Sequence, residues 1–320
     1  MEHTNNVKHF GNGAGVRTAN SAKACFDSIY SHPDPREYYR VLGGLNYVIP
    51  DLAKGIFRNL IAALEDLKGR PIKVLDIGCS YGNNAALIRF PLEFASLQQR
   101  YMDLQNAEIS TRELIALDRH FYASWPKHDV EIVGCDVSQP AIDFARTVGL
   151  IDAGVTQNLE QEDLSQASRD ALRGVDLIIS TGAIGYVTER TLSRVLDAIG
   201  EPRPWIASFV LRMFPYDRFA SLLDQHGHVT EKLSGVTFVQ RRFQSEEEFR
   251  KVLHQLEALG IDSRNKEAEG LFHSEFYLSR PSGDCTEHPI EDLASVSSGI
   301  CLPYGRRFRL GEDSVVRFSP

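Results

Sequence analysis

Four unbroken apolar runs, each followed by a stretch with helical periodicity, constrain the fold of this chain most. The runs are IKVLDIG (72–78), EIVGCDV (131–137), VDLIIST (175–181) and PWIASFVLR (204–212). Runs without polar alternation predict strands that are covered on both faces, as in a parallel sheet. The helical stretches that follow lie at 139–148, 161–173, 188–199 and 216–226. This alternation predicts an α/β fold with a doubly wound, mostly parallel sheet and helices on both faces.

The segments around this repeat predict several additions. Residues 22–67 have helical patterns, broken at His32-Pro33-Asp34-Pro35, and would form a cap ahead of the first strand. Residues 91–129 are too long for an ordinary loop and predict an inserted pair of helices. A short irregular strand is expected within 150–164. TFVQRRF (237–243) and FHSEFYLSR (272–280), on either side of a helix at 245–258, would pair antiparallel at one edge and complete a seven-stranded sheet.

The sequence thereby predicts three regions. These are an N-terminal arm and helical cap (1–70), a core domain with the insertion (71–280) and a C-terminal tail (281–320). The tail would wrap the domain or be partly loose, and the polar start of the chain would be a mobile arm.

Charge and cysteine usage limit the partners. The net charge is −8, so the protein has no general attraction for nucleic acid. The five cysteines are odd in number and form no CxxC pair, which favours a reducing compartment and predicts no metal site. The polar N-terminus lacks a signal peptide's apolar core, and no apolar run approaches the roughly 20 residues of a membrane span. We expect a soluble cytoplasmic protein with a small-molecule partner, no nucleic acid and no membrane, and a homodimer is compatible with this.

The first run ends in a glycine turn, VLDIGCSYGNN (74–84). A phosphate-binding P-loop requires GxxxxGK[ST], but Gly82 is followed by Asn83. A dinucleotide fingerprint requires GxGxxG, and glycine is missing from its second and third positions. The remaining pattern is D-x-G-x-x-x-G, made by Asp76, Gly78 and Gly82.

This pattern resembles motif I of class I S-adenosylmethionine (SAM) dependent methyltransferases, (D/E)-x-G-x-G-x-G, with Ser80 in place of the middle glycine. The resemblance implies SAM as cofactor and S-adenosylhomocysteine (SAH) as product. Backbone N–H groups of the turn, including that of Cys79, and the following helix N-terminus would face the methionyl and ribose part of SAM. Asp76 would accept from its amino group, directly or through water.

The ends of the next strands extend the resemblance, which covers roughly residues 70–280. Asp136, which Val137 follows, would accept hydrogen bonds from both ribose hydroxyls. In the family this acid lies roughly 20 residues after the glycine turn, and here the insertion accounts for the longer spacing. Ser138 and Thr188 are expected as helix caps. The family holds adenine after the third strand, where Asn158 and Leu159 are candidates or plain turn residues. The floor beneath the methyl would be formed by Ser180, Thr181, Gly182 and Tyr186.

SAM carries its own reactivity, so a methyltransferase needs no titrating side chain unless a proton must be removed. His273 and Glu275, at alternate positions of one strand, and Tyr186 are the catalytic candidates, although an edge strand with a wet face is an alternative for the first two. Tyr47, in a loop bounded by Gly and Pro, would face the sulfonium or pack in the core. Arg241 or Arg242 would bind a substrate carboxylate or lie on the surface.

Three functions remain open at this point. The first is methyl transfer from SAM to an O or N atom of a small molecule, a reaction typical of secondary metabolism. The second is a non-catalytic SAM-fold protein that regulates or scaffolds a partner. The third is a NAD(P)-dependent oxidoreductase on a similar sheet.

Overall fold

The structure is a computed structural model that describes residues 27–105, 108–294, 307–310 and 315–319. The expected mobile arm at 1–20 and two of the cysteines, Cys25 and Cys301, lie outside the described residues.

The segment ahead of the first strand is helical, as expected. It contains α1 (Asp27–Tyr30), α2 (Arg36–Gly44) and α3 (Ile49–Lys68). The break between α1 and α2 falls at the two prolines, where the Asp34 carboxylate accepts a hydrogen bond from the backbone N–H of Arg36 (3.2 Å). We refer to α1, α2, the loop after α2 and α3 as the cap.

The strands form one mixed sheet. Its bounds are β1 (Lys73–Ile77), β2 (Glu131–Cys135), β3 (Ala153–Val155), β4 (Leu177–Thr181), β5 (Trp205–Leu211), β6 (His228–Lys232), β7 (Thr237–Arg242), β8 (Leu271–Pro281), β9 (Arg307–Leu310) and β10 (Val315–Ser319). The order is β3-β2-β1-β4-β5-β8-β7-β10-β9, and β6 pairs with β8 beside this path. The first five strands of this order are parallel, and β8 runs antiparallel to β5, β6 and β7.

Helices cover both faces of the sheet. They are α4 (Asn83–Arg89), α5 (Phe94–Gln105), α6 (Thr111–Ala123), α7 (Gln139–Thr147), α8 (Gln166–Leu172), α9 (Glu189–Ile199), α10 (Asp217–Gln225), α11 (Glu246–Ala258), α12 (Ser282–Glu287) and α13 (Ile290–Leu293), with a short 3-10 helix at Glu267–Glu269. One apolar layer joins α3, α4 and α7 to residues such as Val74 and Leu177. In the opposite layer, the four helices α8, α9, α10 and α11 pack against sheet residues such as Leu75 and Ile178.

The predicted fold class is therefore confirmed: a doubly wound, mostly parallel sheet lies between two helical layers. The insertion is also confirmed, because α5 and α6 occupy 94–105 and 111–123. The three-region division stays a prediction, and α3 shares a continuous apolar layer with the sheet. Among the described residues, no helix has both the length and the apolarity required to cross a membrane.

Two details of the sheet differ from the expectation. The last two predicted strands pair antiparallel, but β8 lies inside the sheet, between β5 and β7, and β7 is followed by β10. The sheet also gains β6, β9 and β10. β6 has the polar sequence HVTEK, and the tail strands RFRL and VVRFS contain charged residues among the apolar ones, so none of the three resembles an unbroken apolar run. The tail is thus tied to the sheet where its strands are described, instead of being loose there.

Candidate functional site

A cavity of about 560 Å³ lies at the carboxyl ends of β1, β2 and β4, and the cap and β7 complete its walls. Ligands in doubly wound sheets bind at this edge, where the strand order reverses. Twelve of the sequence-predicted site residues line it: Tyr47, Gly78, Cys79, Ser80, Asp136, Val137, Asn158, Leu159, Thr181, Gly182, Tyr186 and Arg241.

The glycine turn forms one wall of the cavity. The N–H of Gly78 donates to the carbonyl of Cys135 (2.8 Å), which joins the ends of β1 and β2. A Cβ on Gly78 would lie 2.8 Å from the Cβ of Ala183, and its φ of 76° is left-handed, so only glycine fits. Ser80 also has a left-handed φ, 51°, which is the conformation that the missing middle glycine would adopt freely.

Asp136 projects from the end of β2 into the cavity. Its two carboxylate oxygens accept from the backbone N–H groups of Ser80 and Ser138, each at 2.9 Å. Burial raises the pKa of Asp136 above its ordinary value, and the two hydrogen bonds oppose that rise. Each oxygen keeps a second lone pair. Asp136 is thus fixed in orientation and can accept two further hydrogen bonds.

Asp76 lies beneath the turn and does not line the cavity. Its Oδ1 accepts from the Asn84 amide (3.1 Å), which also contacts the Thr181 hydroxyl (3.1 Å). Its Oδ2 has no partner among the described residues. Burial, with a smaller contribution from the charge of Asp136, raises the pKa of Asp76 to about 7. Asn84 and Thr181 therefore connect this carboxyl to the cavity.

The loop after β3 forms the opposite end of the cavity. Asn158 has the turn chemistry that was one of its two predicted roles, since its Oδ1 accepts from the Glu160 N–H (3.1 Å). Its Nδ2 is nevertheless buried without a partner in the described part of the chain. Leu159, beside it, is 3% exposed. The Glu160 carboxylate accepts from the N–H and hydroxyl of Thr188 (both 2.8 Å) and from Thr191 (2.6 Å). This carboxylate ties the loop to the first turn of α9, which Thr188 caps as expected.

Tyrosines form the wall on the side of the cap. Tyr30, Tyr38, Tyr47 and Tyr186 line the cavity, and the rings of Tyr30 and Tyr38 are 5.7 Å apart. Burial raises the pKa of Tyr47 to about 12 and lifts the pKa values of Tyr30 and Tyr38 well above 10. These three hydroxyls are therefore protonated at neutral pH.

Strand β7 contributes Gln240 and Arg241, each 2% exposed. The Arg241 guanidinium is paired with the Glu248 carboxylate through contacts of 2.7 and 3.0 Å, and it lies over the Phe272 ring at 4.6 Å. The surface alternative for Arg241 is wrong, whereas Arg242 is exposed. Sequence reasoning missed Gln240, because TFVQRRF carries no sign that this strand borders the cavity.

The remaining predicted residues lie elsewhere. Gly82 caps α4, and Ser180 borders a second, small cavity beside Tyr216. His273 is buried with its Nδ1 3.3 Å from the Thr237 hydroxyl, and Glu275 contacts Lys232 (3.3 Å) and the Tyr277 hydroxyl (2.9 Å). The geometry thus brings neither catalytic candidate on β8 to the cavity. No group of three or more His, Cys, Asp or Glu side chains in the described ranges could hold a metal ion.

Comparison with known proteins gave matches among solved structures alone; no protein-family model and no curated protein sequence matched. The plantazolicin methyltransferase BpumL, in complex with a triazolic desmethylPZN analog and SAH, is 13% identical, with 83% of this chain and 98% of that chain covered and a TM-score of 0.42. The plantazolicin methyltransferase BamL, in complex with the same kind of analog and SAH, is 16% identical over 83% and 97% of the two chains, with a TM-score of 0.42. The methyltransferase domain of bacterial CtHen1-C is 12% identical over 72% and 100%, with a TM-score of 0.36.

Similarity at this level does not bear on activity or substrate. The fold is defined by the chain itself: β3-β2-β1-β4-β5 in parallel, followed by the antiparallel β8 and then β7, with the glycine turn after β1 and an acid at the end of β2. The protein has the Rossmann-like fold of class I SAM-dependent methyltransferases.

Proposed function

We propose that this protein is a methyltransferase that transfers the methyl group of SAM to an O or N atom of a small molecule. The observation that carries this proposal is the Asp136 carboxylate, which two backbone N–H groups hold at the cavity wall beside the glycine turn. A carboxylate with two free lone pairs suits the paired hydroxyls of a ribose.

The cavity fits the rest of that cofactor. Ser80 Oγ and Asn158 Nδ2 are buried there without partners among the described residues, which suits a ligand with polar groups along its length. Arg241, the cation among the described cavity residues, is already paired with Glu248, so a phosphate-rich dinucleotide finds no ready counter-charge. Asp136, Glu162 and the tyrosine wall favour a cationic ligand instead.

In this proposal the protein binds SAM and the acceptor, orients them, and excludes water from the cavity. When bound, SAM supplies an electrophilic methyl group on its sulfonium. Asp136 would hold the ribose, Asn158 and Leu159 would flank the adenine, and the aromatic face of Tyr47 would meet the sulfonium. The cap covers the cavity, which favours a small acceptor over a polymer. The roles in secondary metabolism, the cytoplasmic location and the homodimer stay predictions.

The first test is calorimetry with SAM and SAH, and with NADH as the alternative ligand. We expect both sulfur ligands to bind and NADH not to bind. Asp136→Ala should weaken SAH binding by about 2 kcal/mol, roughly 30-fold, because it removes a charge-assisted contact.

Asp143→Ala is the matched control, since Asp143 is an exposed aspartate on α7, and it should leave the SAH affinity unchanged. Absence of SAM and SAH binding would leave the scaffold alternative, and saturable NADH binding would favour the oxidoreductase. An unchanged affinity in Asp136→Ala would mean that this residue does not bind the ribose.

A further inference from the structure

Gln240 is a buried side chain in the cavity wall with unused hydrogen-bonding capacity. It is 2% exposed, and its Oε1 has no hydrogen-bond partner among the described residues. Its Nε2 packs so closely on Gly182, at the end of β4, that a Cβ on that glycine would lie only 2.6 Å away. A buried amide oxygen without a partner costs on the order of 1–3 kcal/mol, so it requires an explanation.

The backbone of Gln240 is held firmly. Its carbonyl accepts from the N–H of Val48 (2.9 Å), and the N–H of Arg242 donates to the carbonyl of Leu45 (2.7 Å). These two bonds dock the loop that carries Tyr47 onto β7, so Gln240 and Tyr47 share one rigid frame. Such support suits a residue that must position a reacting group.

The polar side chains that directly adjoin Gln240 and Gly182 in sequence are already engaged. Arg241 is paired with Glu248, and the Thr181 hydroxyl accepts from Asn84. Among the described residues of the cavity wall, the other buried polar atoms without a partner are Ser80 Oγ and Asn158 Nδ2, at the end that the proposed function gives to the cofactor. Gln240 is therefore left to bind the second ligand, the methyl acceptor.

We propose that Gln240 binds the methyl acceptor and that the acceptor is a small, uncharged amine with at least one N–H, which donates to the carboxamide oxygen of Gln240. This inference rests on the proposed function. The hydrogen bond would fix the nitrogen so that its lone pair faces the methyl group.

The choice of an amine follows from the side chains that face this end. A carboxamide does not remove protons, and the hydroxyls of Tyr30, Tyr38 and Tyr47 are protonated at neutral pH. The carboxylates of Asp136 and Glu162 lie at the cofactor end. A neutral amine reacts without prior deprotonation, whereas an alcohol gains much from a base.

The step balances without another reactant. The nitrogen lone pair forms the new C–N bond, and the bond between sulfur and methyl breaks with its electron pair passing to sulfur. SAH is left, and the amine's proton is then lost to water.

A matched probe series tests this assignment through the release of SAH from SAM. The probes are anilines, which are uncharged at neutral pH. Aniline and N-methylaniline keep an N–H, N,N-dimethylaniline lacks it, and phenol replaces the nitrogen with oxygen. At millimolar concentrations we expect methylation of the first two probes well above that of the last two.

Variants then locate the contact. Gln240→Met keeps the length of the side chain but removes the acceptor atom, so kcat/KM for aniline should fall about tenfold or more while SAH affinity is kept. Gln240→Glu keeps an acceptor oxygen and should lose clearly less. Gln225→Met, at an exposed glutamine of α10, is the control and should match the wild type.

Each contrary result has a distinct meaning. An equal loss in Gln240→Met and Gln240→Glu, or equal turnover of the tertiary amine, would overturn the hydrogen bond from N–H to Gln240. SAH binding without methylation of either N–H amine would overturn the acceptor class. A wild-type protein that does not bind SAH would overturn the proposed function, and this inference with it.

Discussion

Asp76 shows at the residue scale how burial turns a single carboxyl into a pH-dependent contribution to stability. Its pKa is about 7 in the fold and about 3.8 in an unfolded chain. Between these values the folded protein binds more protons, so the free energy of unfolding falls as pH rises from about 4 to about 7. The slope for one proton is at most about 1.4 kcal/mol per pH unit.

We therefore predict that Asp76→Asn makes the protein more stable than the wild type at neutral pH. The amide cannot ionise, and the gain should shrink toward about pH 4. Urea unfolding from mildly acidic to neutral pH measures it. Asp66→Asn, at an exposed position of α3, should follow the wild type at every pH. A gain that does not vary with pH would contradict the explanation by ionisation.

The residues of the cavity also show what the sequence could reveal. Gly78, Ser80 and Asp136 could be selected because their places are local: each lies in a turn that directly follows an apolar strand. Gln240 could not be selected, and Arg241 could be named only as an alternative to Arg242, because β7 reaches the cavity through pairing with β8 and through the cap loop. These are long-range contacts, and one strand's sequence does not encode them.

At the scale of elements, the Glu160 carboxylate joins the loop after β3 to the first turn of α9. We predict that Glu160→Ala lowers the free energy of unfolding by about 2–3 kcal/mol, because it leaves three donors on Thr188 and Thr191 without their acceptor. Glu160→Gln should cost less, since it keeps one oxygen. Urea denaturation measures both variants.

A control for Glu160→Ala lies on α9, the helix to which the Glu160 carboxylate is bound. Glu189 is a more exposed residue of α9, 3.6 Å from Arg218, so Glu189→Ala should cost less than about 0.5 kcal/mol. If Glu160→Ala were equally mild, the loop and the helix would be held by something other than this carboxylate.

Most elements followed from sequence because unbroken apolar runs mark buried strands regardless of their partners. The helices of the insertion were predicted from periodicity and length, and Ser110 begins the second of them with a capping box. The sequence did not predict β6, because pairing with β8 stabilises a polar segment that has little strand signature of its own. Its place depends on tertiary pairing, which outweighs local preference.

At the scale of the whole molecule, the tail closes the open side of the sheet. β10 pairs in parallel with β7 at Thr237 and Phe238, and Val315 is fully buried there. We predict that removing residues 295–320 lowers the free energy of unfolding by about 2 kcal/mol or more, because it exposes apolar surface. The truncated protein should also self-associate as its concentration rises, since an uncovered strand edge pairs with other chains.

Urea unfolding and size-exclusion chromatography over a range of concentrations, with the full chain alongside, measure both effects. A truncated protein that unfolds like the full chain and stays at one size would show that β7 does not depend on this cover.

The attachment of the cap loop to β7 has an evolutionary consequence. The bonds from Val48 to Gln240 and from Arg242 to Leu45 join main-chain atoms, which every residue except proline can supply on the donor side. Substitutions at Tyr47 or Gln240 would thus leave the scaffold in place while they change the chemistry of the cavity wall. A lineage carrying this fold could acquire a new acceptor by one or two side-chain replacements, without first having to rebuild the backbone around it.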